Sequence, residues 1–289
     1  MTLVAIPNVS EGRDRRTIKR LTHVVTARGA RILDLHSDVD HGRSVLTLAG
    51  EGDALVAAAT ALAREAASSI DLTEHEGVHP RTGALDICPF VPHDVPMNEA
   101  VEVAHSAGAA IGAAGIPVYF YGAAARRAET RELPALRRGG LAGLLKRARE
   151  GLLPDEGPDE IDPRTGVVCV GARDPLIAFN VWLRGSLETA RTIANVVRAE
   201  KGRAGVRALA FELPSRGLTQ LSMNLTDPAA TGVEAAYESV ERAAREHDAT
   251  VVATELVGLV PQRYLPGPDA EAAGLLIEPG RSLEAELLR

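Results

Sequence analysis

A histidine, an arginine and an aspartate lie close together in residues 75–90, HEGVHPRTGALDICPF, and could move a proton beside an anion. The imidazole of His79 titrates near neutrality, so it can accept and return a proton at working pH. Arg81 carries a planar guanidinium that binds carboxylates, and Asp86 could hold the imidazole in one tautomer. The same residues also fit a surface loop whose histidine has a structural role, and the chemistry alone favours neither interpretation.

A second polar cluster, residues 34–44 with the sequence DLHSDVDHGRS, joins two strand-like runs. Alternate residues of a strand share one face, so four of its side chains are predicted to form a row. These are Asp34, His36, Asp38 and Asp40. The row could bind a metal through carboxylate and imidazole ligands, could orient a catalytic histidine, or could be a hairpin rich in turn-forming aspartates.

A polar turn, NVSEG at residues 8–12, is predicted between the first strand and the first helix. Ser10 and Glu11 could cap that helix, and the backbone amides of the turn could meet an anion. The sequence contains neither a GxxxxGKS/T phosphate loop nor a GxSxG nucleophile elbow. A P-loop nucleotide hydrolase and an elbow-type serine hydrolase are therefore excluded.

The composition is that of an ordinary globular protein large enough for more than one compact unit. The 289 residues are 45% hydrophobic, and a formal net charge of -7 argues against a general nucleic-acid footprint. Cys88 and Cys169 lie in apolar runs without zinc-like spacing, which favours buried thiols in a reduced, cytoplasmic protein. No run reaches the roughly 18 apolar residues of a membrane span, and the N-terminus is typical of a strand rather than a signal peptide.

The pattern predicts an α+β protein with two subdomains, residues 1–173 and 174–289. In the first, strands are expected near residues 3–9, 30–40, 43–50, 84–92, 117–122 and 167–172, and helices over 13–28, 52–67, 97–113 and 123–150. The second has the order strand, helix, strand, strand, helix, strand. That order is typical of a ferredoxin-like antiparallel sheet with helices on one face, and the first subdomain is an elaborated version of it. The tail from Pro266 is expected to dock or to fray, with fraying slightly favoured.

Nine short stretches occur in a characteristic order from residue 3 to about residue 262: PNVSEGRD, DVDHGRSVLTLAG, HEGVHPRTGALDICPFVP, PVYFYG, LRRGG, PDEGP, VGARDPLIAFNV, QLSMNLTD and ELVGLVP. Together they resemble the formiminotransferase family, which includes glutamate formimidoyltransferases and the formiminotransferase domain of formiminotransferase–cyclodeaminases. No single stretch is specific, but the combination is.

The resemblance implies two ferredoxin-like subdomains that form a ligand groove between them, usually in a homodimer. It implies a reaction that moves a formimino group between N5 of tetrahydrofolate and the amine of glutamate, as in one-carbon metabolism and histidine degradation. The histidine of the HPR motif is the implied general acid/base and falls on His79. Asp38, Asp40 and Asp86 are its candidate supports.

Tetrahydrofolate would act as a co-substrate, and Gly157, Pro158 and Gly166 are the candidate folate-binding residues. The candidate substrate-binding residues are Asn8, Arg43, Arg81, Arg173, Asn180, Gln220 and Asn224. Of these, Arg81 and Arg173 are candidates for the carboxylates of glutamate or folate. For the four amide side chains, hydrogen bonding at strand edges is nearly as good an explanation.

Several positions depart from the family pattern. Val78 stands where glutamate is common, and Gly42 stands where asparagine is common. Trp182 replaces an asparagine in FNVWL. Glu156 and Thr165 occupy positions where folate-dependent members often have aromatic residues, and a flat pterin favours an apolar or aromatic wall.

Three alternatives therefore stand beside folate-dependent transfer to glutamate. The first keeps the fold but uses another amine acceptor, such as glycine, or a non-folate donor. The second is a metal-assisted hydrolase, and its ligands would come from His36, Asp38, Asp40, His41 and His79. The third is a non-catalytic ligand-binding relative, against which the HPR histidine argues.

Overall fold

The computed structural model describes residues 2–267, 270, 274, 275 and 277–289. The chain forms two compact units, one up to Asp174 and one from Pro175. In the described ranges, no helix combines the length and apolar character needed to cross a membrane.

The N-terminal unit begins with short strands and alternates helices with longer strands. Its elements are β1 (Leu3–Ala5), β2 (Asn8–Val9), α1 (Arg15–Thr26), β3 (Arg31–Asp38), β4 (Arg43–Gly50), α2 (Gly52–Ser69), β5 (Leu85–Pro92), α3 (Met97–Ala113), β6 (Val118–Gly122), α4 (Leu133–Leu136), α5 (Gly140–Arg149) and β7 (Val168–Ala172). Helix α1 begins where Asp14 accepts a hydrogen bond from the Arg16 amide. It buries Leu21 and Val25, four residues apart, on the face that meets the sheet.

One mixed sheet holds these strands together. Strands β3, β4, β1 with β2, and β5 pair antiparallel, in the strand order of a ferredoxin-like fold. Strands β7 and β6 extend the sheet beyond β5 in parallel. Helices α1, α2 and α3 cover one face, and a separate apolar cluster from α4 and α5 packs over β6 and β7 on the other. The first unit thus elaborates the ferredoxin-like plan in two ways: it adds the parallel strands β7 and β6, and it adds α4 and α5 over them.

The helix predicted over residues 123–150 is wrong as one continuous element. Two helices, α4 and α5, occupy part of it, and Gly139 and Gly140 separate them with φ of 74° and 63°. Glycine adopts this left-handed conformation without a Cβ penalty, so the pair reverses the chain.

The C-terminal unit has the predicted ferredoxin-like order. Its elements are β8 (Ile177–Arg184), α6 (Leu187–Ala199), β9 (Val206–Leu213), β10 (Leu218–Leu225), α7 (Val233–Glu246), β11 (Thr250–Val257) and α8 (Leu283–Leu287). The strands lie antiparallel in the order β11-β8-β10-β9, with the core between the sheet and helices α6 and α7. Contrary to the favoured expectation of fraying, residues 281–283 dock: the Val260 amide donates to the Arg281 carbonyl and the Leu283 amide to the Val260 carbonyl.

Both cysteines are buried free thiols, as predicted. Cys88 lies on β5 and Cys169 on β7, and their side chains enter different apolar clusters. Burial raises the pKa of each thiol to about 12.

Candidate active site

His79 lies half-buried on the loop between α2 and β5, and its hydrogen bonds define its tautomer. Its Nδ1 is 2.8 Å from the carbonyl oxygen of Pro80, which can only accept, so Nδ1 carries the proton. Its Nε2 is 3.0 Å from Nη1 of Arg43, which can only donate, so Nε2 presents its lone pair. The arrangement is that of a neutral imidazole whose unprotonated nitrogen accepts a hydrogen bond from a cation.

Burial and the positive charges around His79 keep its imidazole neutral. Burial, followed by the positive charges of Arg43 and Arg137, lowers the pKa of His79 well below its ordinary 6.5. The ring of His41 stacks against it with centroids 5.6 Å apart and contributes in the same direction. At neutral pH the His79 imidazole is therefore unprotonated at Nε2.

Arg43 and Arg81 both lie close to His79, but Arg43 contacts its ring and Arg81 contacts backbone carbonyls. Burial lowers the pKa of each to about 10, which leaves both cationic at neutral pH. Arg81 donates from Nη2 to the carbonyl oxygens of His41 and Gly77, at 3.0 and 2.9 Å, and also to that of His79. Arg81 was predicted to bind an anion. In the structure its hydrogen bonds hold the backbone of the loop that carries His79, which is called the histidine loop below.

Two glycines allow the close approach of this loop to the turn between β3 and β4. A Cβ on Gly77 would lie 2.2 Å from the His41 carbonyl oxygen and 2.6 Å from Nη2 of Arg81. Gly42 has a φ of +59°, and a Cβ there would lie 2.5 Å from the His75 ring. Asparagine tolerates this backbone conformation better than most residues, but here the His75 imidazole occupies the space that its side chain would need.

The aspartates of the second polar cluster shape the turn beside His79. Asp38 accepts a hydrogen bond of 2.7 Å from the His41 amide, and the Asp40 carbonyl accepts one of 3.0 Å from the Val78 amide. Both aspartates are buried. Throughout the part of the chain that the structure describes, no three His, Cys, Asp or Glu side chains converge as a metal site. The strand β3 ends at Asp38, so Asp40 lies in the following turn and not in the predicted row of strand residues.

Asp86 is buried below the loop and is bound to groups other than the imidazole. Its Oδ1 accepts from the Thr82 amide at 2.7 Å and from the Thr82 hydroxyl at 3.0 Å. Its Oδ2 pairs with Arg137. The tautomer of His79, which Asp86 was predicted to hold, is instead set by the Pro80 carbonyl.

Arg137 also lies at the site, although it was not among the predicted site residues. Its side chain is only 16% exposed, and its charge acts on both His79 and Arg43. The sequence signal that could have indicated this position was the stretch LRRGG, because two successive glycines predict a chain reversal just after Arg137 and Arg138.

The remaining candidates in the N-terminal unit lie at the ends of its central strands. Asn8 is buried on β2 and donates to the Ile6 carbonyl at 3.0 Å. Arg173 follows β7 beside Tyr121, and burial lowers its pKa. Gly166 packs against the Thr82 carbonyl with a φ of +66°, whereas Gly157 and Pro158 are exposed.

Three candidates lie on strands of the C-terminal unit. Along these strands they alternate with the apolar residues that pack against the helices, so they lie on the opposite face of the sheet. Asn180 is buried on β8 and donates to Glu255 at 2.9 Å. Gln220 is buried on β10, and Asn224 is exposed on the same strand. The structure thus brings together, within the N-terminal unit, His79, Arg43, Arg81, Asp38, Asp40 and Asp86, and adds Arg137 to them.

Comparison with known proteins identifies the family of this chain. The model of the formiminotransferase domain, N-terminal subdomain, matches residues 2–173, and that of the formiminotransferase domain matches residues 178–269. A glutamate formimidoyltransferase of Thermoplasma acidophilum is 40% identical over 274 residues, which cover 92% of this chain and 90% of that protein. One of Streptococcus pyogenes serotype M1 is 37% identical over 90% of this chain and 89% of its own.

A longer relative matches over part of its length. The formimidoyltransferase-cyclodeaminase of Sus scrofa is 38% identical over 90% of this chain and 50% of that protein. The α+β fold, the two family models and these relatives thus define a group-transfer enzyme. The chain belongs to the formiminotransferase family.

Proposed function

We propose that this enzyme transfers a formimino group between 5-formiminotetrahydrofolate and glutamate, with His79 as the general acid/base. The observation that carries the proposal is the neutral His79, whose Nδ1–H is held by the Pro80 carbonyl while Nε2, which accepts from Arg43, is the nitrogen able to take a proton. The names of the curated relatives, glutamate formimidoyltransferases, supply the reaction class.

The proton movements follow from the chemistry of amidine transfer. The glutamate amine attacks the formimino carbon and forms a new C–N bond, and its nitrogen must then lose a proton. Nε2 of His79 takes that proton, and it returns it to N5 of the folate as the old C–N bond breaks. The imidazole ends the cycle as it began, so one histidine serves both half-steps.

The positive surroundings of His79 fit an anionic substrate. Arg43 and Arg137 oppose protonation of the empty enzyme's base. A glutamate carboxylate bound near these guanidinium groups would offset their charge and favour the imidazolium form when the proton is transferred. Binding and basicity are thereby coupled: His79 becomes a stronger base when the acceptor is present.

The experiment measures formimino transfer directly, with wild-type protein, His79→Gln and, as a matched control, His23→Gln on the exposed face of α1. General acid–base catalysis contributes about 10²–10⁴-fold, so we expect a loss of that size in His79→Gln alone. Undiminished transfer by His79→Gln would remove the role of this histidine.

The folate donor is tested separately by calorimetric titration with folinate, with and without glutamate. Micromolar binding by wild type and His79→Ala would support the folate donor, because the variant loses the base and keeps the binding surface. Absence of binding at millimolar folinate would contradict it.

A second candidate keeps the fold and uses another amine acceptor or donor. It is favoured by the polar residues at the positions where folate-dependent members often have aromatic side chains: Glu156, whose carboxylate pairs with Arg126 at 2.8 Å, and Thr165. Neither position offers an aromatic wall. A panel of amines, including glycine, assayed beside glutamate would identify the acceptor.

A further inference from the structure

Arg147, on the outer helix α5, clamps the backbone on both sides of Arg137. Its Nη2 donates to the Leu136 carbonyl at 2.6 Å, and its Nη1 donates to the Arg138 carbonyl at 2.7 Å. These two carbonyls flank the residue whose side chain enters the active site. A bidentate guanidinium holds two acceptors in a fixed orientation, so the clamp sets the direction in which Arg137 leaves the backbone.

Three glycines, Gly139, Gly140 and Gly143, bring α5 close to the turn that Arg147 holds. Gly139 and Gly140 reverse the chain between α4 and α5, which returns α5 to the turn that contains Arg137. A Cβ on Gly143 would lie 2.4 Å from the Arg138 carbonyl oxygen. The turn and the helix are therefore in backbone contact at the point where Arg147 binds.

From Arg137 the contacts continue to the histidine loop. Arg137 pairs with Asp86, and Asp86 binds both the amide and the hydroxyl of Thr82. Thr82 is fully buried and follows His79 by three residues. A continuous series of charge-assisted bonds thus joins α5 to the loop that carries the base.

We propose that Arg137 is a positioning residue for His79, held in its working orientation by the Arg147 clamp on one side and by Asp86 on the other. Its role rests on the proposed function of His79, since it acts through that imidazole. Its guanidinium fixes the end of the histidine loop through Asp86 and supplies positive charge beside the ring.

The test follows the titration of His79 itself by NMR of nitrogen-labelled histidine, with the resonance assigned from His79→Gln. The titratable groups that act on this imidazole include Arg43, Arg137 and His41. Arg137→Gln removes one positive charge and leaves Asp86 unpaired, so the His79 pKa should rise, and Arg137→Lys should keep most of the wild-type value. Arg147→Gln should raise it by a smaller amount, and the exposed Arg149→Gln on the same helix should leave it unchanged.

The kinetic readout is kcat/KM for formimino transfer against pH. Misplacement of a catalytic group by a remote change lowers the rate by up to about a hundredfold. We therefore expect kcat/KM of Arg137→Gln to fall by about tenfold to a hundredfold and the acid limb of its pH profile to move to higher pH. An unchanged His79 titration in folded Arg137→Gln and Arg147→Gln would overturn the proposal. If Arg147→Gln does not fold, Arg147→Lys and Arg137→Gln decide the outcome. If wild-type protein transfers no formimino group, the proposed function fails, and the titration alone decides the positioning role.

Discussion

Nη1 of Arg43 lies 3.0 Å from Nε2 of His79, so a permanent cation faces the nitrogen that the proposed reaction uses as a base. The contact stabilises the neutral imidazole and opposes its protonation. It also makes the basicity of His79 depend on what binds nearby, because an anion at this guanidinium would weaken its effect.

Arg43→Gln should therefore move the acid limb of the kcat/KM profile to higher pH. The substitution removes a positive neighbour, so the pKa of His79 rises, and the neutral form that accepts the proton is lost at a higher pH than in wild type. Arg43→Lys retains the charge and should retain the limb, while losing rate because the planar fork is absent. An acid limb that stays in place in Arg43→Gln would contradict this account.

The stability of the protein should fall as pH drops below about 6.5. The folded-state pKa of His79 is lowered well below that ordinary value, and burial lowers that of His75 as well. The unfolded chain therefore binds protons first, and the stability that is fully present above pH 6.5 is lost as the pH falls toward the folded-state values. Thermal unfolding midpoints across this range should decline less steeply in His79→Gln, whereas His23→Gln should follow wild type.

Gly77→Ala should destabilise the N-terminal unit and reduce activity together. The new Cβ would meet the His41 carbonyl oxygen and Nη2 of Arg81, and overpacking of this kind costs about 1–3 kcal/mol. Urea unfolding measures the loss. Gly50→Ala in the same unit is the matched control, since the nearest atom to a Cβ there is 3.6 Å away, and equal losses in the two variants would show that the close approach at Gly77 is unimportant.

Asp86→Asn should be costly because it breaks a buried ion pair. Asp86 is about 1% exposed and Arg137 16%, and removal of one partner of such a pair typically costs about 3–5 kcal/mol. Asp71→Asn is the comparison, because the Asp71–Arg164 pair joins the same kinds of groups on the surface and should change stability little. Chemical unfolding of both variants should separate them clearly.

Most secondary structure could be predicted because its signals are local. A short apolar run indicates β4, alternation of apolar residues indicates β10, and the spacing of Leu21 and Val25 indicates α1. The parallel pairing of β5 with β7 was not predicted, since it joins residues about 80 positions apart and leaves no periodic trace in the sequence. Docking of residues 281–283 against Val260 is non-local for the same reason.

In the candidate site, His79 could be identified because several chemically active residue types are concentrated around it. The role of Arg81 could not, because a guanidinium bound to backbone carbonyls and one that awaits an anion have the same sequence. Arg137 was missed for a related reason: on a helical stretch rich in arginine, only the fold distinguishes a buried ion pair from a solvated side chain.

The alkylation rate of the two cysteine thiols measures the unfolding of the N-terminal unit alone. Cys88 and Cys169 are the only cysteines of the sequence, and both lie in the N-terminal sheet. With their pKa raised to about 12, neither can react with an alkylating reagent as a thiolate while the strands stay closed. The rate at which such a reagent is consumed therefore reports the unfolding of the unit that carries His79, without any contribution from the other half of the chain.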